Sequence, residues 1–185
     1  MQLSYAQIPR RWVNHMNLTE IFHFVAPKVH HAAIKTASQL EYLGIRYALA
    51  GGLAVGAHGY IRTTADVDFL VGEEAFEHHG LLVTFKPGVP IEVDGIRIDY
   101  LSAVALGSQI ESVFAEALVS EGVAVVPIEV LIYMKLVARR RKDQVDIIEL
   151  IKCGADIKKT RAYLKQYASD LLPLFEDLAN EALAE

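Results

Sequence analysis

The sequence predicts an α+β protein in which a small mixed β-sheet is flanked by an N-terminal helical segment and a C-terminal helical bundle. Apolar residues recur at helical spacing near both ends of the chain, whereas residues 46–127 alternate short apolar strands with glycine turns. The 185 residues are 52% hydrophobic, which is enough for one well-packed core. We therefore expect a single domain over residues 1–185, with helices in 1–45, the sheet in 46–127 and helices in 128–185.

The first predicted element is a helix over residues 19–43, interrupted by Pro27. Four apolar residues share one face at helical spacing: Val29, Ala33, Ala37 and Leu40. Gly44 follows as a C-terminal stop, because glycine readily adopts the left-handed conformation in which many helices end. The pattern predicts a helical layer ahead of the sheet.

Short strands and turns make up the middle of the chain. We expect an apolar strand over 47–50, then the Gly51-Gly52 turn into a small helix that ends near Gly59, then a strand over 66–71. Further elements follow in order: a short helix over 73–79, hairpin strands over 91–93 and 96–101 around Asp94-Gly95, a helix over 109–118 and a strand over 123–126.

After Pro127 the composition becomes wholly helical. Pro127 suits a first helical turn, where its missing N–H is not needed. Four helices are predicted, over 128–140, 143–152, 157–168 and 171–183. The apolar content of the helices in residues 156–185 indicates core packing, although these helices would also suit the docking of a partner protein. This content includes Leu171, Leu172, Leu174 and Phe175.

Charge and cysteine content narrow the class of protein. A net charge of −5 argues against a free nucleic-acid binder, which normally carries a basic surface. The single cysteine, Cys153, cannot form an intrachain disulfide, which fits a reducing compartment. The first residues lack a signal-peptide pattern, and the longest stretch without charged residues, 47–61, is too short to cross a bilayer. We expect a cytoplasmic protein with no membrane partner.

Asp66 and Asp68 are the most informative residues, because side chains two apart on a strand point to the same side. Val67 and Phe69 would then lie on the buried side. Two convergent carboxylates supply the oxygen ligands that Mg²⁺ prefers. The alternative is a pair of solvated aspartates on an ordinary surface strand.

Asp99 would add a third carboxylate from a separate strand. Alternation places Arg97 and Asp99 on one side of residues 96–101. If this strand neighbours that of Asp68, the three aspartates could hold two divalent cations. The alternative for Asp99 is a salt bridge to Arg97 or to a nearby lysine.

Gly51 and Gly52 stand at a strand-to-helix turn, where backbone N–H groups can approach a phosphate without interference from Cβ. A tight turn that needs positive φ explains the pair equally well. The stretch matches neither the Walker A pattern nor the G-x-G-x-x-G dinucleotide fingerprint.

These residues, in this order, resemble the pattern of the nucleotidyltransferase superfamily, whose fold is shared with DNA polymerase beta. That pattern has a glycine pair at the start of a helix, D-x-D on the next strand and a third carboxylate on a later strand. The run over 50–71, with Arg62-Thr63 ahead of the aspartates, most resembles a bacterial branch that includes the nucleotidyltransferase toxins of abortive-infection toxin–antitoxin pairs. The resemblance covers roughly residues 47–151.

Lys135 shares an otherwise apolar helical stripe with Ile128, Leu131 and Ile132. Either its stem passes the core to solvent or its ammonium reaches a nucleotide triphosphate. Related proteins often carry such a lysine, followed by a basic residue and Lys-Asp-x-x-Asp. Here that tail includes Asp143 and Asp146, which we expect to cap or electrostatically favour the start of the next helix. The basic run 139–142 is either a solvated helix end or a set of phosphate contacts.

The resemblance implies a metal-dependent transferase that moves a nucleoside monophosphate from ATP or another nucleoside triphosphate to an acceptor hydroxyl and releases pyrophosphate. In this reading Asp66, Asp68 and Asp99 bind Mg²⁺ or Mn²⁺ and carry catalysis. Four residues would bind the nucleotide: Gly51, Gly52, Arg62 and Lys135. The acceptor would be a small molecule, a protein or a tRNA end. The alternatives are an inactive nucleotide-binding regulatory module and a component that binds a cognate antitoxin.

Overall fold

The computed structural model describes residues 27–107, 110, 112–120 and 122–184. Its α-helices are α1 (Pro27–Tyr42), α2 (Gly51–Ala57), α3 (Val113–Glu116), α4 (Ile128–Ala138), α5 (Arg141–Lys152), α6 (Ile157–Tyr167) and α7 (Leu172–Ala184). Its strands are β1 (Tyr47–Leu49), β2 (Val67–Val71), β3 (Phe76–His79), β4 (Leu82–Phe85), β5 (Glu92–Val93), β6 (Ile96–Ser102), β7 (Leu118–Ser120) and β8 (Val123–Val125). The part of the predicted first helix before Pro27 lies outside the described residues.

Six strands form one mixed sheet in the order β5-β6-β2-β1-β8-β7. β2 pairs with β6, and β1 with β8, in parallel, whereas the remaining neighbours are antiparallel. The mixed sheet between helices confirms the α+β class predicted from the sequence. The parallel pairing of β2 with β6 matters most for function, because it brings the Asp68 strand beside the Asp99 strand.

Helices cover the sheet with the faces that the apolar pattern predicts. The α1 stripe is buried at Val29, Ala33, Ala37 and Leu40. In the last helical layer, Leu171 and Phe175 are buried, and Leu172 and Leu174 pack against the core. The opening of the last helix therefore packs in the core, whereas docking of a partner protein by the C-terminal helices stays a prediction. In the described part of the chain, no helix is long and apolar enough to cross a bilayer.

The helix predicted over 73–79 is wrong beyond its first turn. Residues Glu73–Ala75 form a single 3-10 turn, and Phe76 then begins β3, which pairs with β4. The Phe76 and Phe85 rings stack across this hairpin with centroids 5.6 Å apart. Cross-strand pairing with residues that follow in the chain overrides the local helical preference.

The helix predicted over 109–118 ends earlier than expected. Val113–Glu116 is α-helical and residues 110 and 112 are in 3-10 conformation, whereas Leu118–Ser120 forms the edge strand β7 against β8. The Asp94-Gly95 hairpin is confirmed, with both residues at positive φ (53° and 80°), as a two-residue turn between twisted strands requires.

Candidate active site

A group of carboxylates lies where β2 and β6 run side by side. Asp68 and Asp99 are direct register partners in this parallel pair, and Asp66 stands one residue before β2 begins. Val67 and Phe69, the residues between and after the two aspartates, are completely buried. Strand alternation therefore turns Asp68 out of the core, onto the surface that it shares with Asp99.

One cavity of about 920 Å³ opens on this surface. Its volume falls in the range of small-molecule and cofactor sites. The cavity is lined by all seven residues that the sequence singled out for catalysis or nucleotide binding: Gly51, Gly52, Arg62, Asp66, Asp68, Asp99 and Lys135. Gly51 and Lys135, which are 84 positions apart in the chain, thus line the same cavity.

Asp68 is in an electrostatically unfavourable position for a lone carboxylate. Its partial burial raises its pKa above the ordinary value, and the negative charges of Asp66 and Asp99 raise it further. Lys135 and a hydrogen bond from the Gly52 N–H act in the opposite direction. A bound cation would relieve the same repulsion, so the surroundings of Asp68 suit a positively charged ligand.

Thr64 orients the first aspartate, a contact that sequence reasoning missed. Its hydroxyl donates to Asp66 Oδ1 at 3.0 Å, and its side chain is buried. A threonine hydroxyl commonly bonds to a group two residues away in the chain. The position of Thr64 two residues before Asp66 is therefore the feature of the sequence that could have indicated this contact.

Gly51 and Gly52 leave room for the side chains that face them. Gly51 has φ +58°, and a Cβ placed there would lie 1.7 Å from Asp68 Oδ2. A Cβ on Gly52 would lie 2.7 Å from Thr64 Oγ1. The tight-turn explanation is confirmed for Gly51 by its positive φ, and the neighbouring Asp68 excludes a methyl group, whereas approach of a phosphate to this turn stays a prediction.

Asp99 is engaged by a neighbour on its own strand. The Arg97 guanidinium donates to Asp99 Oδ2, which is the salt bridge offered as the alternative for this residue. Within the described residues, no three His, Cys, Asp or Glu side chains are grouped as ligands around a metal ion. The two carboxylates without such an arginine partner, Asp66 and Asp68, are therefore the better cation ligands in this conformation.

The Lys135 side chain does not extend past the core to solvent, and its ammonium has charged partners. Its side chain is 6% exposed, and its Nζ lies 2.6 Å from Asp146 Oδ2 and 3.2 Å from Asp143 Oδ1. Both aspartates are buried. Asp143 does not cap the helix, because α5 begins at Arg141 and has no side-chain cap, but it lies in the first turn, where a negative charge is electrostatically favoured as expected. Burial acts to raise the pKa of Asp143, but hydrogen bonds from Arg140 and Lys135 lower it overall.

Arg62 is tied to the same buried pair. Its Nε and Nη2 donate to the two oxygens of Asp146 at 2.6 and 2.9 Å, in the two-bond geometry that suits a guanidinium and a carboxylate. From the basic run 139–142, Arg140 and Lys142 also line the cavity. Three cations from outside the sheet, which we call the cationic wall, therefore line the same cavity as the three aspartates: Arg62, Lys135 and Arg140.

Aromatic and aliphatic side chains form a third part of the lining. Phe85 and Ile91 are exposed, yet both border the cavity, beside the partly buried Tyr100. The Phe85 and Tyr100 rings lie 5.3 Å apart. Sequence reasoning missed the contribution of Phe85 because this residue lies on the β3–β4 hairpin, which the local pattern does not indicate.

Comparison with solved structures shows a distant similarity to known proteins. The chain matches no family model and no curated protein sequence. A crystal structure of an antigenic nucleotidyltransferase-like protein from Paracoccidioides brasiliensis is similar at 17% sequence identity and a TM-score of 0.46. The match covers 82% of this chain and 94% of that one. At this distance the likeness carries no functional assignment, so the function must be argued from the cavity itself.

Proposed function

We propose that this protein is a metal-dependent nucleotidyltransferase that transfers a nucleoside monophosphate from a nucleoside triphosphate to an acceptor hydroxyl. The observation that carries the proposal is the meeting of unlike charges in one cavity. Asp68 and Asp99 face it from adjacent parallel strands, and Arg62 and Lys135 face it from outside the sheet. A nucleoside triphosphate with its divalent cation carries charges of both signs. It therefore needs carboxylates for the cation and positively charged side chains for the phosphates.

The donor set around Asp68 supports a hard cation as cofactor. Asp66 and Asp68 would hold Mg²⁺ or Mn²⁺, and Asp99 would complete the set when its bond to Arg97 is released. Such a cation would stabilise the negative charge that develops on the phosphate oxygens during transfer. Thr64 keeps Asp66 oriented through its hydroxyl, and the Gly52 N–H does the same for Asp68.

The remaining residues bind and orient the reactants. The cations Arg62 and Lys135 would hold the phosphates, with the Gly51-Gly52 turn beside them. The acceptor oxygen forms a bond to the α-phosphorus while the bond from that phosphorus to the β-phosphate bridging oxygen breaks, and pyrophosphate leaves. Asp99 would take the proton from the acceptor hydroxyl. Most of the rate enhancement would then come from positioning and charge stabilisation.

The direct test is transfer of label from each of the four α-labelled nucleoside triphosphates into a cell extract. The extract is then separated into small molecules, protein and RNA, so that the labelled fraction identifies the acceptor class. Asp68→Asn, which keeps the shape of the side chain, should reduce transfer at least about a hundredfold. Asp94→Asn, on an exposed hairpin turn outside the cavity, should leave transfer unchanged. Undiminished transfer by Asp68→Asn would refute the proposal.

One observation favours a second function, a nucleotide-binding regulatory module without turnover. Arg97 occupies Asp99, and the described residues hold no ready three-ligand cation site. A module of this kind would bind nucleoside triphosphate in the same cavity and transfer no label with any extract fraction. Association with a cognate antitoxin is a separate proposal, tested by whether the neighbouring gene product co-purifies with the chain and suppresses transfer.

A further inference from the structure

The cationic wall of the cavity rests on two buried carboxylates. We call the five residues involved the α4–α5 charge cluster: Arg62, Lys135, Arg140, Asp143 and Asp146. The side chains of Asp143 and Asp146 are each only 1% exposed, whereas that of Arg140 is 61% exposed. The two aspartates and Lys135 are thus buried, whereas Arg140 reaches solvent.

Asp146 is the member that joins separate parts of the chain. One of its oxygens accepts from Arg62 Nε, and the other accepts from Arg62 Nη2 and lies 2.6 Å from Lys135 Nζ. Arg62 follows α2 in the chain, Lys135 lies on α4 and Asp146 on α5. A single carboxylate therefore fixes two cations that line the cavity from different elements.

Each of these cations keeps donors beyond the bonds to aspartate. Arg62 has five N–H groups, of which two bind Asp146 and one binds the Thr63 carbonyl at 3.2 Å. Lys135 has three N–H groups and two aspartate partners. Because both residues border the cavity, their remaining donors are available to phosphate oxygens.

Stability alone is a weak reason for such a cluster. Burying charged groups removes them from water, and the attraction between them often does no more than offset that loss. The five groups together carry one net positive charge, directed at the cavity. A fixed arrangement of donors binds an anion better than free side chains, since less conformational freedom is lost on binding.

We propose that Asp146 is a positioning residue that orients Arg62 and Lys135 to bind the triphosphate chain of the nucleotide. This inference rests on the proposed function, because it takes the cavity to be a nucleotide site. The positioning role and the net charge predict opposite effects of an Asp146 substitution on anion binding. Removing a negative charge at Asp146 should strengthen anion binding if only net charge mattered, whereas loss of orientation should weaken it.

The test measures the Kd of inorganic triphosphate with Mg²⁺ for the wild type, Arg62→Ala, Asp146→Asn and the double variant. We expect Asp146→Asn to weaken binding about tenfold, the lower end of the effect known for residues that orient metal ligands. The double variant should bind more weakly than Arg62→Ala, because Asp146 also orients Lys135, but by less than the product of the two single losses, because part of the Asp146 effect passes through Arg62. Binding by a folded Asp146→Asn as tight as the wild type, or tighter, would overturn the inference, and so would two independent losses that multiply.

Glu129→Gln is the matched control for stability. Glu129 is another buried carboxylate on α4; it pairs with Lys159 at 3.0 Å and does not line the cavity. Its loss should lower the Tm and leave the triphosphate Kd unchanged.

If Asp146→Asn does not fold, Arg62→Lys is the second variant, because it keeps the charge but loses the two-bond geometry. It should weaken binding similarly, and unchanged binding would overturn the inference. If wild type binds no triphosphate, the proposed function fails as well, whereas an unaffected Asp146→Asn refutes only the positioning role.

Discussion

At the scale of single residues, Gly51 shows why glycine is needed beside the aspartates. Gly51→Ala would combine positive φ with a methyl group 1.7 Å from Asp68 Oδ2. Gly80→Ala is the matched control, because Gly80 has φ +66° and nothing within 4 Å of an added Cβ. The control should lose about 1–2 kcal/mol of unfolding free energy for its backbone conformation alone.

We expect Gly51→Ala to lose about 1–3 kcal/mol more than that control, because Asp68 must move to accommodate the methyl group. It should also abolish Mg²⁺-dependent nucleotide binding, whereas Gly80→Ala should retain it. Urea unfolding and nucleotide titration of the two variants measure both effects. Equal losses of stability would contradict the close approach of Asp68 to this turn.

The chemistry-bearing residues could be identified from the sequence, but their partners could not. Asp66 and Asp68 are recognisable by spacing along one strand, and Lys135 by a charge within an apolar stripe. The bonds from Lys135 to Asp143 and Asp146 depend on how α4 packs against α5, which no local pattern encodes. The same holds for Arg62 and Asp146, which meet only in the folded chain.

At the scale of elements, His58 connects the end of α2 to the segment that leads into α4. It follows the end of α2, and its Nε2 lies 2.8 Å from the Val126 carbonyl oxygen, just before α4. This contact ties the end of α2 to the residue two positions before α4. Burial lowers the pKa of His58, although the Val126 bond and Glu129 act in the opposite direction.

A lowered folded-state pKa makes stability depend on pH. The unfolded chain takes up the His58 proton more readily than the folded one, so unfolding is favoured as pH falls below the ordinary histidine value of about 6.5. Above that pH this contribution is constant. His58→Gln removes the titrating group, so its free energy of unfolding should fall less than that of the wild type between about pH 6.5 and 5. Parallel profiles from urea unfolding would contradict this role.

Elements with a strong local signal follow the sequence prediction, and those formed by distant pairing do not. The C-terminal helices and the Asp94-Gly95 turn carry periodicity or turn chemistry within a few residues. The β3–β4 hairpin and β7 are fixed by neighbouring strands instead. Because the hairpin was not predicted, the position of Phe85 at the cavity could not be predicted either.

At the scale of the whole molecule, sheet order decides whether the carboxylates meet. The sequence indicates that Asp68 and Asp99 lie on strands, but not that these strands are neighbours. The parallel β2–β6 pairing places the two residues opposite each other. The chain after β8 brings Lys135 and Arg140 to the same cavity. The site is therefore a product of topology acting on locally recognisable residues.

The central claim is that this cavity binds a nucleoside triphosphate through a cation held by Asp66 and Asp68. Calorimetric titration with triphosphate analogues that cannot be cleaved between the α- and β-phosphates tests it most directly. We expect binding of one equivalent in Mg²⁺, loss of binding in EDTA, and at least about tenfold weaker binding by Asp68→Asn. Asp94→Asn should bind as the wild type does. Equal affinity with and without Mg²⁺, or full affinity in Asp68→Asn, would contradict the claim.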